Sequence, residues 1–94
     1  MNEPTEVLKV SDLYAASYVL CRCRLLGTEW KRAQPGARSY VRFKFANDGG
    51  RADEALLAYS NCESVNPRDF VTSLRSLREL VFQGRQDEEK GGGQ

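Results

Sequence analysis

From Ser39 to Ala46 the side chains alternate, with Val41, Phe43 and Phe45 pointing one way and Tyr40, Arg42 and Lys44 the other. A period of two is the strand period, and it suits a sheet with one dry face and one wet face. The stretch before it, Leu26 to Ala33, alternates as well. Leu26, Thr28 and Trp30 share one face, and Glu29 and Lys31 share the other. Between the two, Gln34-Pro35-Gly36-Ala37-Arg38 is turn chemistry, because Pro35 presets φ and Gly36 tolerates positive φ. Residues 26 to 46 are therefore expected to form an antiparallel hairpin.

The rest of the chain supplies a further strand and three helices. Val7-Leu8-Lys9-Val10 places Leu8 and Val10 on one face of a short strand and Lys9 on the other. Ser11 then fits as an N-cap, with Asp12 in the first helical turn where the dipole favours an acid. Leu13, Ala16, Val19, Leu20 and Cys23 follow at helical spacing, Arg22 and Arg24 sit towards the end, and Gly27 is the expected terminator. Asn47-Asp48-Gly49-Gly50 ends the hairpin. A second helix over roughly 52–62 turns Ala52, Ala55, Leu56 and Tyr59 inward. Asn66-Pro67 announces a third helix, whose apolar positions are Phe70, Leu74, Leu77 and Val81 and whose end is expected at Gly84.

These elements predict an α+β fold, a two-layer sandwich. A three-stranded, mostly antiparallel sheet carries helices on one face, in the order β-α-β-β-α-α. The expected core is Leu8, Val10, Leu20, Trp30, Val41, Phe43, Phe45, Leu56, Phe70, Leu74 and Leu77. One domain is expected over residues 1–84, with 1–6 flexible and the charged, glycine-ended stretch 85–94 disordered.

The layout resembles a family of short bacterial and phage-associated proteins known only as a domain of unknown function. The likeness rests on Val10-Ser11-Asp12-Leu13-Tyr14-Ala15-Ala16, on Val41-Arg42-Phe43-Lys44-Phe45, and on Val65-Asn66-Pro67-Arg68-Asp69-Phe70 with Leu74, Leu77 and Leu80 after it. It spans about residue 7 to residue 82. Its motifs are caps and core positions, so it implies a fold and carries no activity.

Charge is the main functional signal. The formal net charge is only +1. Yet Arg22, Arg24, Lys31, Arg32, Arg38, Arg42 and Lys44 fall in one segment against the lone acid Glu29, and the flanking segments are net acidic. A domain polarised in this way suits a polyanionic partner. With Phe43 facing inward, Lys9, Glu29, Lys31, Tyr40, Arg42 and Lys44 face outward together. Lysine and arginine attract phosphates, and a tyrosine ring can stack on an unpaired base. The candidate nucleic-acid contacts are Lys9, Lys31, Arg32, Arg38, Tyr40, Arg42 and Lys44. The ordinary alternative is that polar residues alternate on any half-exposed strand and that lysines protect sheet edges. The strand at 38–45 echoes an RNA-binding aromatic strand, but Arg42 stands where a second stacking ring belongs. A closing helix also replaces the fourth strand of that fold.

Other function classes find less support. The chain has no histidine, and its carboxylates are scattered over loops and helix starts, so no catalytic constellation is expected. Cys21, Cys23 and Cys62 are odd in number and lack a histidine to complete a metal site, so they read as half-buried small residues, with the role of Cys62 left open. No cofactor or metal is expected. The polar, acidic start Met1-Asn2-Glu3-Pro4-Thr5-Glu6 differs from a signal peptide, and no apolar run suits a membrane span, so the expected location is the cytoplasm. The competing class is a protein-interaction module that takes an acidic partner protein or a second copy of the chain, for which Tyr14, Tyr18 and Phe82 are spare apolar surface.

Overall fold

In the computed structural model, residues 6–32 and 34–92 are described, with side chains up to residue 86. The elements are β1 (Val7–Val10), α1 (Leu13–Leu20), β2 (Leu25–Arg32), β3 (Ser39–Ala46), α2 (Arg51–Ser60) and α3 (Pro67–Gly92), with a short 3-10 turn at Asp48–Gly50. The three strands form one antiparallel sheet in the order β1-β3-β2. The hairpin is closed by a hydrogen bond from the Ala37 N–H to the Gln34 carbonyl at 3.0 Å, with Gly36 at φ 85°. That is the arrangement a Pro-Gly centre favours, since the residue after proline must reach positive φ.

The sheet has the two faces its alternation requires. Register places Val10 opposite Phe43 and Leu8 opposite Phe45, and on the other side Leu25, Thr28 and Trp30 opposite Phe45, Phe43 and Val41. These residues share the inner face, where Phe43 and Phe45 are completely buried. Against them pack Ala15, Ala16 and Val19 of α1, Ala52 and Ala55 of α2 and Leu77 of α3. The fold class is thus the two-layer α+β sandwich in the expected order.

Helix α1 is the hub of the helical layer. Five consecutive residues, Ala15 to Val19, are buried, because the sheet lies on one side and α2 and α3 flank it. Small residues make this close approach feasible. The buried Ser17 hydroxyl stays satisfied by donating to the Leu13 carbonyl at 2.8 Å. Cys21 sits in the seam with α3, its Sγ 3.6 Å from the Ser73 hydroxyl. Helix α3 starts as the sequence dictates. The Asn66 side chain accepts from the N–H groups of Arg68 and Asp69 at 2.9 and 3.2 Å, with Pro67 as the first helical residue.

Several sequence expectations are corrected. The cap of α1 is Asp12, whose carboxylate accepts from the Ala15 N–H at 2.9 Å; Ser11 lies one residue outside. The helix stops at Leu20, so Cys23 and Arg24 belong to the connection that follows. Gly27 terminates nothing; it lies in β2, which begins at Leu25. A bulge between Leu25 and Gly27 turns Leu25 inward and leaves Leu26 as the extra residue, exposed. Helix α2 ends at Ser60, not near Cys62. Its last carbonyls are taken by Cys62 N–H to Tyr59 and Glu63 N–H to Ala58, both at 3.0 Å, with Cys62 at φ 61° in the position that usually belongs to glycine. Of the expected core, Val10, Phe43, Phe45 and Leu77 are buried, whereas Leu8, Leu20, Trp30, Val41, Leu56, Phe70 and Leu74 are only partly buried, and small residues of α1 and α2 take the centre.

The end of α3 differs most. The helix passes through Gly84 to Gly92, so the expected boundary at residues 84–85 falls inside a helix. The reason is tertiary. A Cβ on Gly84 would stand 2.4 Å from the Trp30 ring, so glycine is needed for the indole to lie against the helix backbone. The Arg85 guanidinium covers the same ring at 5.4 Å. Of the segments expected to be flexible or disordered, residues 1–5 and 93–94 lie outside the described residues.

Candidate nucleic-acid interface

The outer face of the sheet follows from register. On β3, Tyr40, Arg42 and Lys44 project away from the helices. Lys9 of β1 stands opposite Lys44, and on β2 Lys31 stands opposite Tyr40, Glu29 opposite Arg42 and Gly27 opposite Lys44. The face therefore carries four cations, one acid and one phenol, and no described helix packs over it.

Glu29 organises this surface. Its carboxylate lies 3.2 Å from Lys9 Nζ and 3.6 Å from Lys31 Nζ. Lys9 approaches across the central strand from the far edge, so one acid ties both edge strands together over β3. The Lys9 contact is an ion pair without an aligned hydrogen bond, since Oε1 is shielded from solvent and has no well-directed donor. The adjacent ammonium of Lys9, with Lys31 and Arg42 behind it, holds the Glu29 carboxyl below the usual carboxylate range despite some opposing desolvation. The acid therefore stays ionised at neutral pH. All three side chains keep substantial exposure, so these pairs order the lysines more than they stabilise the fold.

Arg42 and Tyr40 form a second unit. The guanidinium donates to the Tyr40 hydroxyl at 3.4 Å and lies 5.9 Å from its ring centre. That hydrogen bond, with help from Glu29, favours the charged guanidinium further. Tyr40 is 37% exposed, so its ring is accessible to a stacking partner. Beside them, Gly27 leaves the row at Lys44 low, and the Lys44 stem passes 3.9 Å from where a Gly27 Cβ would be. The Lys44 side chain thus lies over Gly27, and Lys9, Lys44 and Arg42 form one cationic strip.

Five of the seven sequence candidates, Lys9, Lys31, Tyr40, Arg42 and Lys44, are thus brought onto one face. The other two are not. Arg32 has the opposite parity, facing Ser39 in register, and its guanidinium donates to the Ala37 carbonyl at 3.3 Å, bracing the hairpin loop. Arg38 is exposed in that loop, beyond the end of the strip. Sequence reasoning placed Glu29 on this face but missed its role as the link between β1 and β2. The signal was present in the pattern Glu29-Trp30-Lys31, though the reach of Lys9 across β3 depends on the strand order.

Elsewhere, a groove of about 720 Å³ opens between the end of α2 and the start of α3, lined by Tyr18, Tyr59, Cys62 and Phe70 among others. Cys23 packs against the core, and burial pushes its thiol up. Among the described residues no group of three cysteine or carboxylate side chains converges as a metal site, and no helix is long and apolar enough to cross a membrane. No family model matches the chain, and no curated protein or solved structure gives a match, so the family resemblance rests on the sequence alone.

Proposed function

We propose that this is a small non-enzymatic binding protein of the cytoplasm that contacts nucleic acid through the outer face of its sheet. The observation that carries the reading is the convergence of Lys9, Lys31, Arg42 and Lys44 on one uncovered face with only Glu29 opposing them. A flat, cationic sheet suits a flexible or single-stranded backbone better than a major groove, which takes a protruding helix or ribbon. Phosphates would follow the cationic row, and the accessible Tyr40 ring would take an unpaired base.

The test is fluorescence anisotropy with labelled single-stranded DNA, duplex DNA and RNA, at low and near-physiological salt. Binding that weakens steeply as salt rises, and that grows with polymer length, supports the reading, because neutralised phosphates release counterions. Arg42→Glu combined with Lys44→Glu is expected to abolish it while the domain stays folded. Absence of binding even at low salt sinks the reading. The basic face would then be a docking surface for an acidic protein, and the interaction-module alternative would stand in its place.

A further inference from the structure

We propose that a second, compact anion site lies at the end of the sheet, in the cleft between the α1–β2 connection and the start of α2, and that it takes a phosphate group. Arg22 and Arg24 from the connection and Arg51, the first residue of α2, line one concavity of about 280 Å³ together with Cys23, Ala46 and Asp48. A contiguous hollow of about 200 Å³ shares Arg22, Cys23 and Arg51 and adds Glu54.

Three arginines from two separate elements line one hollow, and like charges gathered in this way repel unless something answers them. Asp48 and Glu54 on its rim offset that charge only in part and at longer range. Among the described residues no carboxylate lies within ion-pair distance of Arg22, Arg24 or Arg51; the ion pairs present are those of Glu29 with Lys9 and Lys31. Nor is the charge spent on the cysteine between them. Burial outweighs the pull of Arg51 and Arg22 on Cys23, so its thiol stays protonated and neutral at ordinary pH.

The backbone of the cleft and the Arg22 side chain are also ordered in advance. Arg22 donates to the Tyr18 hydroxyl at 3.0 Å and lies 5.1 Å over that ring, and Tyr18 is itself buried and braced edge-on by Tyr59. The connection is tied to the sheet where the Arg24 carbonyl accepts from the Ala46 N–H at 3.0 Å. At the start of α2, the Asn47 side chain accepts from the Ala52 and Asp53 N–H groups at 2.9 and 3.0 Å. Those helix-terminal amides are therefore already occupied, and recognition falls to the arginine forks, which match a tetrahedral oxyanion by paired N–H donors.

The same chemistry has two sources, a free phosphate-bearing small molecule or the terminal phosphate of a nucleic-acid strand. The second is geometrically natural. Ala46, which lines the cleft, is two residues beyond Lys44 on the same face of β3, a step of about 7 Å. A strand lying along the basic face would bring its end to the cleft.

The experiment is a two-dimensional NMR titration of the ¹⁵N-labelled chain, including arginine Nε–Hε signals, with inorganic phosphate, at constant ionic strength. Saturable shifts concentrated on Arg22, Cys23, Arg24 and Arg51 are expected. Arg24→Gln with Arg51→Gln should weaken phosphate binding about tenfold or more, since charge-assisted hydrogen bonds are lost. Both side chains are exposed, and the variant should keep the wild-type spectrum elsewhere. Shifts spread evenly over all basic residues, no saturation, or binding unchanged in the variant overturns the site. A second arm compares 5′-phosphorylated with 5′-hydroxyl oligonucleotides. A preference for the phosphorylated end that disappears in the variant assigns the strand end, whereas saturable phosphate binding without that preference assigns a free phosphate compound. The outcome is separable from that of the sheet face, because Arg42→Glu with Lys44→Glu leaves the cleft intact.

Discussion

Strand β3 presents two surfaces written into the same eight residues, and they obey different rules. On the inner face, Phe43 and Phe45 have no exposure and every neighbour is fixed by packing. On the outer face, Arg42 and Lys44 keep contact with water; the Tyr40 phenol orders Arg42, and Glu29 holds Lys9 and Lys31 beside them. The inner set determines whether the chain folds; the outer set is nearly free of that duty and open to selection for binding. A register slip of one residue would exchange the two, which is why strict alternation constrains this sequence so strongly.

The sharpest way to break the contrast is to cut into the inner face. Phe43→Ala should cost about 3–5 kcal/mol, a large share of the total stability of so small a domain, read as a shift in the urea midpoint. A loss below about 1 kcal/mol would mean the sheet is not the floor of the core. On the outer face, Arg42→Glu with Lys44→Glu should leave that midpoint within about 1 kcal/mol and reduce oligonucleotide affinity by about a hundredfold or more at low salt. Unfolding in that variant would invert the assignment of the faces.

Gly84→Ala probes where the inner face meets α3. Alanine gains about 1 kcal/mol of helix propensity over glycine, but a methyl group inside the Trp30 ring contact forces overpacking that costs about 1–3 kcal/mol. Net destabilisation is expected, with a change in the emission of Trp30, the only tryptophan in the chain. A stabilised protein with unchanged emission would show that the indole does not lie against α3. The smallest effect belongs to Glu29→Gln. It removes the one acid from the outer face, so polyanion affinity should rise a few-fold and the salt dependence steepen by about one phosphate contact.

The pH dependence of Glu29 follows from its lowered pKa. A carboxyl depressed in the folded state contributes stability above its unfolded pKa and loses it as pH falls through the folded value. The Glu29 contribution should therefore be full at neutral pH, begin to fade as pH falls into the ordinary carboxylate range where the unfolded chain takes up the proton, and be gone below the lowered folded value. Oligonucleotide binding should strengthen over that same acid window as the face gains a charge, and anisotropy measured across the window checks the sign.

Local pattern was enough to read the hairpin, the Asn66-Pro67 helix start and the outward row at Tyr40, Arg42 and Lys44, because period, turn residues and caps act over a few residues. What escaped depends on distant partners or on near-equivalent local choices. Ser11 and Asp12 are both good caps, and only the three-dimensional entry angle selects Asp12. Gly84 reads as a stop in one dimension and is a seat for Trp30 in three. The bulge at Leu26 has no distinct local signature, so Leu26 leaves the inner face expected of it and Leu25, outside the expected strand, takes its place. The arginines of the cleft lie apart in sequence, and Arg51 joins Arg22 and Arg24 only once α2 has docked.

The strand order has a kinetic consequence. β2 and β3 are joined by a short loop and can zip together early, whereas β1 reaches β3 only after a helix and the whole hairpin have been organised between them. Closing that longer loop carries the larger entropic cost, so β1 is expected to dock late and open first. Amide exchange in Lys9 and Val10 should then run ahead of that in Phe43 and Phe45 on the central strand. Lys9 would be the last cation to reach the outer face and the first to leave it, so the completed charge pattern would report that the N-terminal strand is in place.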